Sequence, residues 1–456
     1  MTRFSQNAVV DKLNQYLKTR KRDLVLEYGY CHGLTLLWLY KMSSGKEAWF
    51  YDLIKKIVLV SSPKDFNKLE IDIEKFLAHI EWLQNSSIYT PDIQQPDLDK
   101  LFETDAKTAF SAVFTPRQME DVIEQIARPE KMICLSSPNH TIGLFLRDNN
   151  YYLYDSNYET GEAKIFTDKK LLGKEIVTRL YTNIDIPTTR LSLQINILNS
   201  SFAKKPTQTI NKAAFLQQFM DTTENAQATD CFGINALYLA CENNDIETAK
   251  LLLKKNIPLN QQNHEGKTAL YVAAERGYTA LVNLLLEHGA KINLSDTDHW
   301  SPLFSAINEN HYATAKALLQ NNASLEQKNT AGLTALEFSV SEKKWGMLLL
   351  ILLYTKNSNN ELQKQHAVIN QHKDEILNSY HDIKTILSPK ETTEISNVLS
   401  HLFNPPSSQK NSYIGRENST DKRHRFFPST KSTTKKISAE DEPPICHMPS
   451  QLSRGA

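Results

Sequence analysis

"GINALYLACENNDIETAKLLLKKNIPLNQQNHE" occupies residues 233–265, and the next stretch, "GKTALYVAAERGYTALVNLLLEHGAKINLSDTD" (266–298), repeats its landmarks. Gly233-Ile-Asn-Ala-Leu237 aligns with Gly266-Lys-Thr-Ala-Leu270, His299-Trp-Ser-Pro-Leu303 and Gly332-Leu-Thr-Ala-Leu336, each start 33 residues after the last. A period of this length implies stacked supersecondary units. An alanine-bearing helical stretch, a break and a second apolar helix come after each start: "ETAKLLLKK", "TALVNLLLEH", "ATAKALLQ" and "WGMLLLILLY". Between the helices one register holds Asn244, Gly277 and Asn310, and after the second helix another holds Asn256, Gly289 and Asn322. Asn and Gly tolerate left-handed backbone at a helix end. Ala240, Ala273 and Ala306 recur on the first helix, where neighbouring units must approach closely.

These residues resemble the ankyrin repeat, in four units over 230–355. The resemblance implies an all-α solenoid that binds proteins through its turn tips and concave face and rarely catalyses. His264, Lys267, His299 and Trp300 are the expected partner contacts, with Trp300 partly exposed. Four units suffice to bury a continuous core. Tyr238, Tyr271, Phe304 and Glu337 stand where the family usually has histidine. The unusually apolar fourth unit is expected to pack against the segment C-terminal to it.

Residues 1–200 carry no such repeat. Apolar residues at three- and four-residue spacing predict helices in "NAVVDKLNQYLKT", "GLTLLWLYKM", "AWFYDLIKKIVLV", "IEKFLAHIEWLQ" and, after Pro116, "RQMEDVIEQIA". Strand texture then takes over in "KMICLSS", "HTIGLFLRD", "NYYLYDS" and "LSLQINILN". Helices first and a sheet second predict an α+β domain. "HTIGLFLRDNNYYLYDSNY" reads as a hairpin. With Asp148-Asn149 as its loop, Asp155 lies opposite Ile142, and His140 and Asp155 become diagonal neighbours on one face. A three-residue loop would put them on opposite faces.

Ahead of this sheet lies "YGYCHGLTLLWLY" (28–40), a cysteine at the head of an apolar helix. A thiol becomes a useful nucleophile where an imidazole and a helix N-terminus favour the thiolate. The imidazole in turn needs an orienting carboxylate. Cys31, His140 and Asp155 supply these parts, while Gly29 and Gly33 would let backbone approach a substrate. Taken singly, each has an ordinary explanation: a buried thiol, a strand-end histidine and a turn acid.

Together, Gly29-x-Cys31-x-Gly33-Leu34-x-x-x-Trp38, His140 and Tyr154-Asp155-x-Asn157-Tyr158 resemble YopT-type cysteine peptidases, papain-fold enzymes that bacteria secrete into host cells. The resemblance spans about residues 20–200. It implies Cys31 as nucleophile, His140 as general base and acid, Asp155 as the orienting acid and Asn157 as support, with no cofactor. One departure stands out. Such enzymes place an Asn or Gln five or six residues before the cysteine for the oxyanion hole, where this chain has Leu26 and Val25, with Glu27 the nearest polar side chain. Losing such a donor costs about 3 kcal/mol of transition-state stabilisation. Deamidation or transamidation by the same thioester route, and a non-catalytic scaffold, therefore stay open.

The remaining features bound the reading. Lys+Arg and Asp+Glu both number 52, which argues against wholesale nucleic-acid or membrane-surface binding. The five cysteines show no CxxC spacing, a pattern of free thiols in a reducing compartment. Cys134 reads as core. His32, adjacent to Cys31 on a helix, points elsewhere, and no second pair has structural-zinc spacing. No phosphate-binding glycine loop occurs. The charged, amphipathic opening predicts no signal peptide, and "MLLLILLY" (347–354) is too short to span a bilayer. Residues 201–229 are expected to be a linker with a capping helix, 356–403 a helical region and 404–456 a disordered tail. That tail contains a basic run, Lys422-Arg-His-Arg425, and the acidic Glu440-Asp441-Glu442, which resembles type IV secretion signals. The expected whole is a papain-like α+β domain, four ankyrin repeats and a helical, tailed C-terminus. Its expected role is a bacterial effector that acts on a host protein in the host cytoplasm or nucleus.

Overall fold

The computed structural model describes residues 4–21, 31–84, 107–129, 131–138, 140–181, 190–199, 210–220, 227–255, 257–355 and 368–403. The chain divides into two compact units, Met1–Ala273 with Asn283–Lys291, and Ala274–Val282 with Ile292–Ala456. The division falls inside the second 33-residue unit rather than at the expected boundary near residue 230.

In the first unit, α1 (Gln6–Thr19), α2 (Cys31–Ser43), α3 (Glu47–Val58) and α4 (Glu70–Gln84) precede a sheet. Its strands are β1 (Lys107–Phe114), β2 (Lys131–Ser136), β3 (Thr141–Arg147), β4 (Asn150–Asp155), β5 (Lys164–Phe166) and β6 (Leu191–Asn199). The order is β1-β6-β2-β3-β4-β5, and every pairing is antiparallel. Between strands lie α5 (Met119–Ile126) and α6 (Lys169–Leu180). β2 and β3 are buried along most of their length, so both faces of the sheet need cover.

The period-2 alternation of the strands sorts their side chains. Met132, Cys134, Phe145, Tyr154 and Leu198 join one cluster with residues of α1 to α4. Ile133, Leu135, Ile142, Leu144 and Leu153 point the other way and are equally buried, with α6 packed on β3 and β4. At roughly 25 cal/mol per Å² of apolar surface, such two-sided cover is what lets the short strands of this sheet persist. Gly143 is the fitting point of the two layers. A Cβ there would lie 3.0 Å from Trp38 Cε3 and 3.1 Å from Thr35 Cγ2, so glycine is what lets α2 lie this close to β3.

The first repeat shares this core, which is why the division falls where it does. α7 (Lys212–Met220) packs Phe215 and Phe219 on Phe114 of β1, with ring centroids 6.1 and 5.4 Å apart. α8 (Ala236–Glu242), whose partner helix is α9 (Ile246–Leu253), lies against β1 and β6. Buried Asp230 accepts from Phe232 N and Ile234 N, both at 2.9 Å, and from Ser192 Oγ of β6. Ser192 also receives the Tyr181 hydroxyl on its carbonyl at 2.7 Å.

The later 33-residue units carry α10 (Ala269–Glu275) with α11 (Thr279–Glu287), α12 (Pro302–Asn308) with α13 (Tyr312–Gln320), and α14 (Ala335–Ser341) with α15 (Trp345–Tyr354). Side chains of Asn235, Thr268, Ser301 and Thr334, one repeat apart, accept the amide three residues on and start each first helix. Glu337, the departure from histidine in the fourth unit, closes a capping box with Thr334. Asn244, Gly277 and Asn310 are left-handed, as are Gly289 and Asn322, while Asn256 lies outside the described residues. Lys343 extends the first of these registers, and there nothing in the residue type announced it.

In the second unit α16 (Lys373–Lys384) and α17 (Pro389–Phe403) pack on α15. Trp345 Nε1 donates to Glu375 at 2.8 Å, and the Tyr354 hydroxyl donates to Glu391 at 2.9 Å. The apolar face of α15 is covered in this way. The tail motifs at 422–425 and 440–442 lie outside the described residues.

Candidate functional site

Cys31 is the first described residue of α2, half-buried at the helix N-terminus. Apolar residues fill the helix behind it: Leu34, Leu37 and Trp38 are buried. Two contacts fix its course over the sheet. Thr35, one turn on, donates from Oγ1 to the carbonyl of Thr141 at 3.2 Å. Trp38 stacks on Tyr154, with centroids 5.1 Å apart and planes 12° from parallel. Helix and strands are thereby locked in a register that brings Cys31 to the end of the sheet where β3 begins.

His140 stands immediately before β3. Asp148 and Asn149 both have positive φ, the two-residue hairpin turn whose twist suits the flanking strands. Ile142 consequently pairs with Asp155, and His140 and Asp155 share a face. His140 Nε2 lies 2.7 Å from Asp155 Oδ1, with the histidine side chain 12% and the aspartate 1% exposed. That contact leaves Nδ1 as the nitrogen available to the thiol. Burial acts to lower the imidazole pKa, but hydrogen bonds to Asp155 and Cys31, and their charges, raise it to about 9. The sequence-predicted nucleophile, base and acid therefore converge.

Asn157 reaches Asp155 through its backbone. Its side chain is exposed, and its backbone N–H donates to Asp155 Oδ1 at 2.8 Å. Gly33 is not a surface for substrate: it is buried in the first turn of α2. Gly29 and the positions bearing on the oxyanion hole, 25–27, lie outside the described residues. His32 Nδ1 lies 4.0 Å from Cys134 Sγ, a thiol buried as expected. Among the described residues no group of His, Cys, Asp or Glu could hold a metal ion, and no helix is long and apolar enough to cross a membrane.

Sequence reading missed α6 and, with it, Arg179. Asp168 caps this helix by accepting from Leu171 N at 2.8 Å, and Leu172, Ile176, Val177 and Leu180 give it a buried stripe. Cap and stripe together were a readable signal. Arg179 Nε lies 3.9 Å from Asp155 Oδ2. The next residue, Leu180, accepts on its carbonyl from Ser137 Oγ at 3.2 Å, and that hydroxyl also accepts from His140 N at 3.1 Å.

The expected partner contacts separate by environment. His264 and His299 are exposed, and His299 takes a φ of +60° where the other three units have glycine. Lys267 is held by Glu265 at 3.4 Å and lies over the Tyr271 ring. Trp300 is a packing residue more than a free one: its ring meets Phe338 at 5.2 Å and Phe304 at 6.1 Å. Aromatic neighbours on the first helices draw it inward.

Residues 208–296 match the family model for ankyrin repeats in three copies, and residues 298–330 match the model for a single ankyrin repeat. The chain therefore contains ankyrin repeats, modules that typically bind proteins. The match begins early enough to take in α7, read from sequence as a cap within a linker. The fourth unit of the sequence alignment lies past the match and rests on its cap, its helix pair and its left-handed Gly332 and Lys343. No curated protein matches the chain.

Proposed function

We propose that the first unit is a papain-like thiol hydrolase of the YopT type and that the ankyrin repeats hold the protein on which it acts. The observation that carries this reading is the half-buried Cys31 in contact with an imidazole that is itself 2.7 Å from a buried carboxylate. With a proton on His140, whose pKa stands at about 9, Cys31 Sγ attacks a carbonyl carbon of the bound protein and the carbonyl oxygen takes up the negative charge. The tetrahedral intermediate collapses when His140 gives that proton to the leaving amine, leaving a thioester on Cys31. Water, deprotonated by His140, then attacks the thioester and releases the carboxylate and the free thiol. Asp155 keeps the imidazole oriented and stabilises its charged form throughout. Delivery by a bacterium into a host cell belongs to the same proposal and is tested by a translocation assay on the tail beyond residue 404.

The test is Cys31→Ala in the full chain, expressed in cells with the proteome read by mass spectrometry. New chain ends that vanish in the variant support the hydrolase. Intact chains carrying a Gln-to-Glu mass change would make the enzyme a deamidase. A cellular effect unchanged by Cys31→Ala would leave only a binding scaffold.

A further inference from the structure

The two oxygens of the Asp155 carboxylate have different neighbours. Oδ1 takes both His140 Nε2 at 2.7 Å and the Asn157 amide at 2.8 Å. Oδ2 faces the Arg179 guanidinium. We propose that Arg179 is a positioning residue for the His140–Asp155 pair, fixing the rotation of the carboxylate and limiting the negative charge it presents to the imidazole. The kinetic part of this inference rests on the hydrolase reading; the electrostatic part concerns the folded chain alone.

Arg179 is itself held on two sides. Its Nε donates to Glu175 Oε1 at 2.9 Å, and its guanidinium carbon lies 4.8 Å from the Tyr158 ring centroid. Glu175 is tied in turn by Lys164 Nζ at 2.8 Å and the Tyr158 hydroxyl at 3.2 Å. A guanidinium bracketed in this way keeps its Nε edge 3.9 Å from Asp155 Oδ2, where a solvated arginine would sample many rotamers. The end of α6 is anchored as well, since Tyr181 bonds to Ser192 and Ser192 to Asp230. Successive residues Arg179 and Leu180 thus reach Asp155 directly and His140 through Ser137.

Charged and titratable groups surround the pair on every side. Asp155 is faced by His140 and Arg179, with the phenol of Tyr158 near and that of Tyr154 across the sheet also feeling its charge; His140 is faced by Asp155 and Cys31; Arg179 by Asp155, Glu175 and Tyr158. Removing the arginine charge deletes the cation that offsets Asp155 and leaves Glu175 with Lys164. Both changes favour the imidazolium, so the His140 titration should move upward.

The experiment tracks His140 by nuclear magnetic resonance of isotope-labelled histidine in the full chain, in wild type, Arg179→Gln and Arg179→Lys. Arg179→Gln should raise the His140 midpoint by about half a unit, discounting for the partial exposure of Arg179, and Arg179→Lys should restore most of the difference. With turnover available, Arg179→Gln should lower kcat severalfold at unchanged KM and carry the alkaline limb of the pH profile upward. A simple loss of packing would lower stability without moving either titration. An Arg179→Gln titration superimposable on wild type would overturn the inference. If the titration moves but no substrate is ever turned over, the hydrolase reading fails and the role of Arg179 stands. If turnover depends on Cys31 while Arg179→Gln changes neither titration nor kcat, the reverse holds.

Discussion

Left-handed residues mark both the repeats and the sheet domain, yet the sequence announces them differently. In the repeats they recur at a fixed period, so Asn244, Gly277 and Asn310 identify one another. In the sheet domain Asp148 and Asn149 occur once, and no second copy vouches for them. What singles them out is the apolar alternation on either side, and the site depends on them because a loop one residue longer would send His140 and Asp155 to opposite faces. The comparison teaches that a repeat carries redundancy in its own pattern. A single sheet stakes its geometry on a few unrepeated positions.

Three substitutions or conditions sharpen that contrast. The largest effect on stability is expected at Gly143, where the two layers of the sheet domain meet. A methyl group would crowd Trp38 and Thr35 at 3.0 and 3.1 Å, and both are buried with little room to yield. Gly143→Ala should destabilise the chain by about 1–3 kcal/mol, the ordinary range for overpacking. Urea unfolding monitored by tryptophan fluorescence would measure it. An unchanged midpoint would show that α2 can slide on β3, and with it Cys31.

The second is pH. The folded His140 pKa of about 9 stands above the ordinary 6.5, so the folded state binds this proton more tightly than the unfolded chain. Its stabilisation is therefore fully present below about pH 6.5 and is lost as pH rises towards 9. The loss should be on the order of 3 kcal/mol. Thermal unfolding from about pH 6 to about 9.5 should show a decline that Asp155→Asn flattens. An identical decline in Asp155→Asn would assign it to other groups.

The third and smallest effect belongs to the repeats. His299 adopts the left-handed conformation that Gly233, Gly266 and Gly332 supply in the other units. An L side chain pays roughly 1 kcal/mol for that conformation. His299→Gly should therefore stabilise the chain by up to about 1 kcal/mol, less the greater entropy glycine gives the unfolded state. Differential scanning calorimetry would read it, and a fall in Tm would mean that the His299 side chain makes a compensating contact.

Much of this fold was legible. The 33-residue period, the hairpin register and the apolar stripes of α1 to α5 all come from short-range patterns. Other elements were hidden by their length or character. β5 is three residues long, and β1, "KTAFSAVF", is preceded by residues with no clear texture. The fused core of sheet and first repeat was invisible because it depends on Asp230, Ser192 and Tyr181 meeting across the chain. At the candidate site, chemistry-bearing residue types singled out Cys31, His140 and Asp155, which lie together in the fold. Arg179 escaped because a surface-like arginine on a helix is ordinary until Asp155 is seen beside it. Asn157 was named only as a supporting residue, and what reaches Asp155 is its backbone amide, which no residue type reveals.

The central claim is that His140 activates Cys31, and site-resolved alkylation tests it most directly. The full chain is treated with iodoacetamide at mildly acid pH, and modification of each cysteine is measured by mass spectrometry in wild type and His140→Ala. Cys31 should react well before Cys231, which is also half-buried, and should lose that advantage in His140→Ala. Equal rates at the two cysteines, indifferent to the loss of the imidazole, would contradict the account.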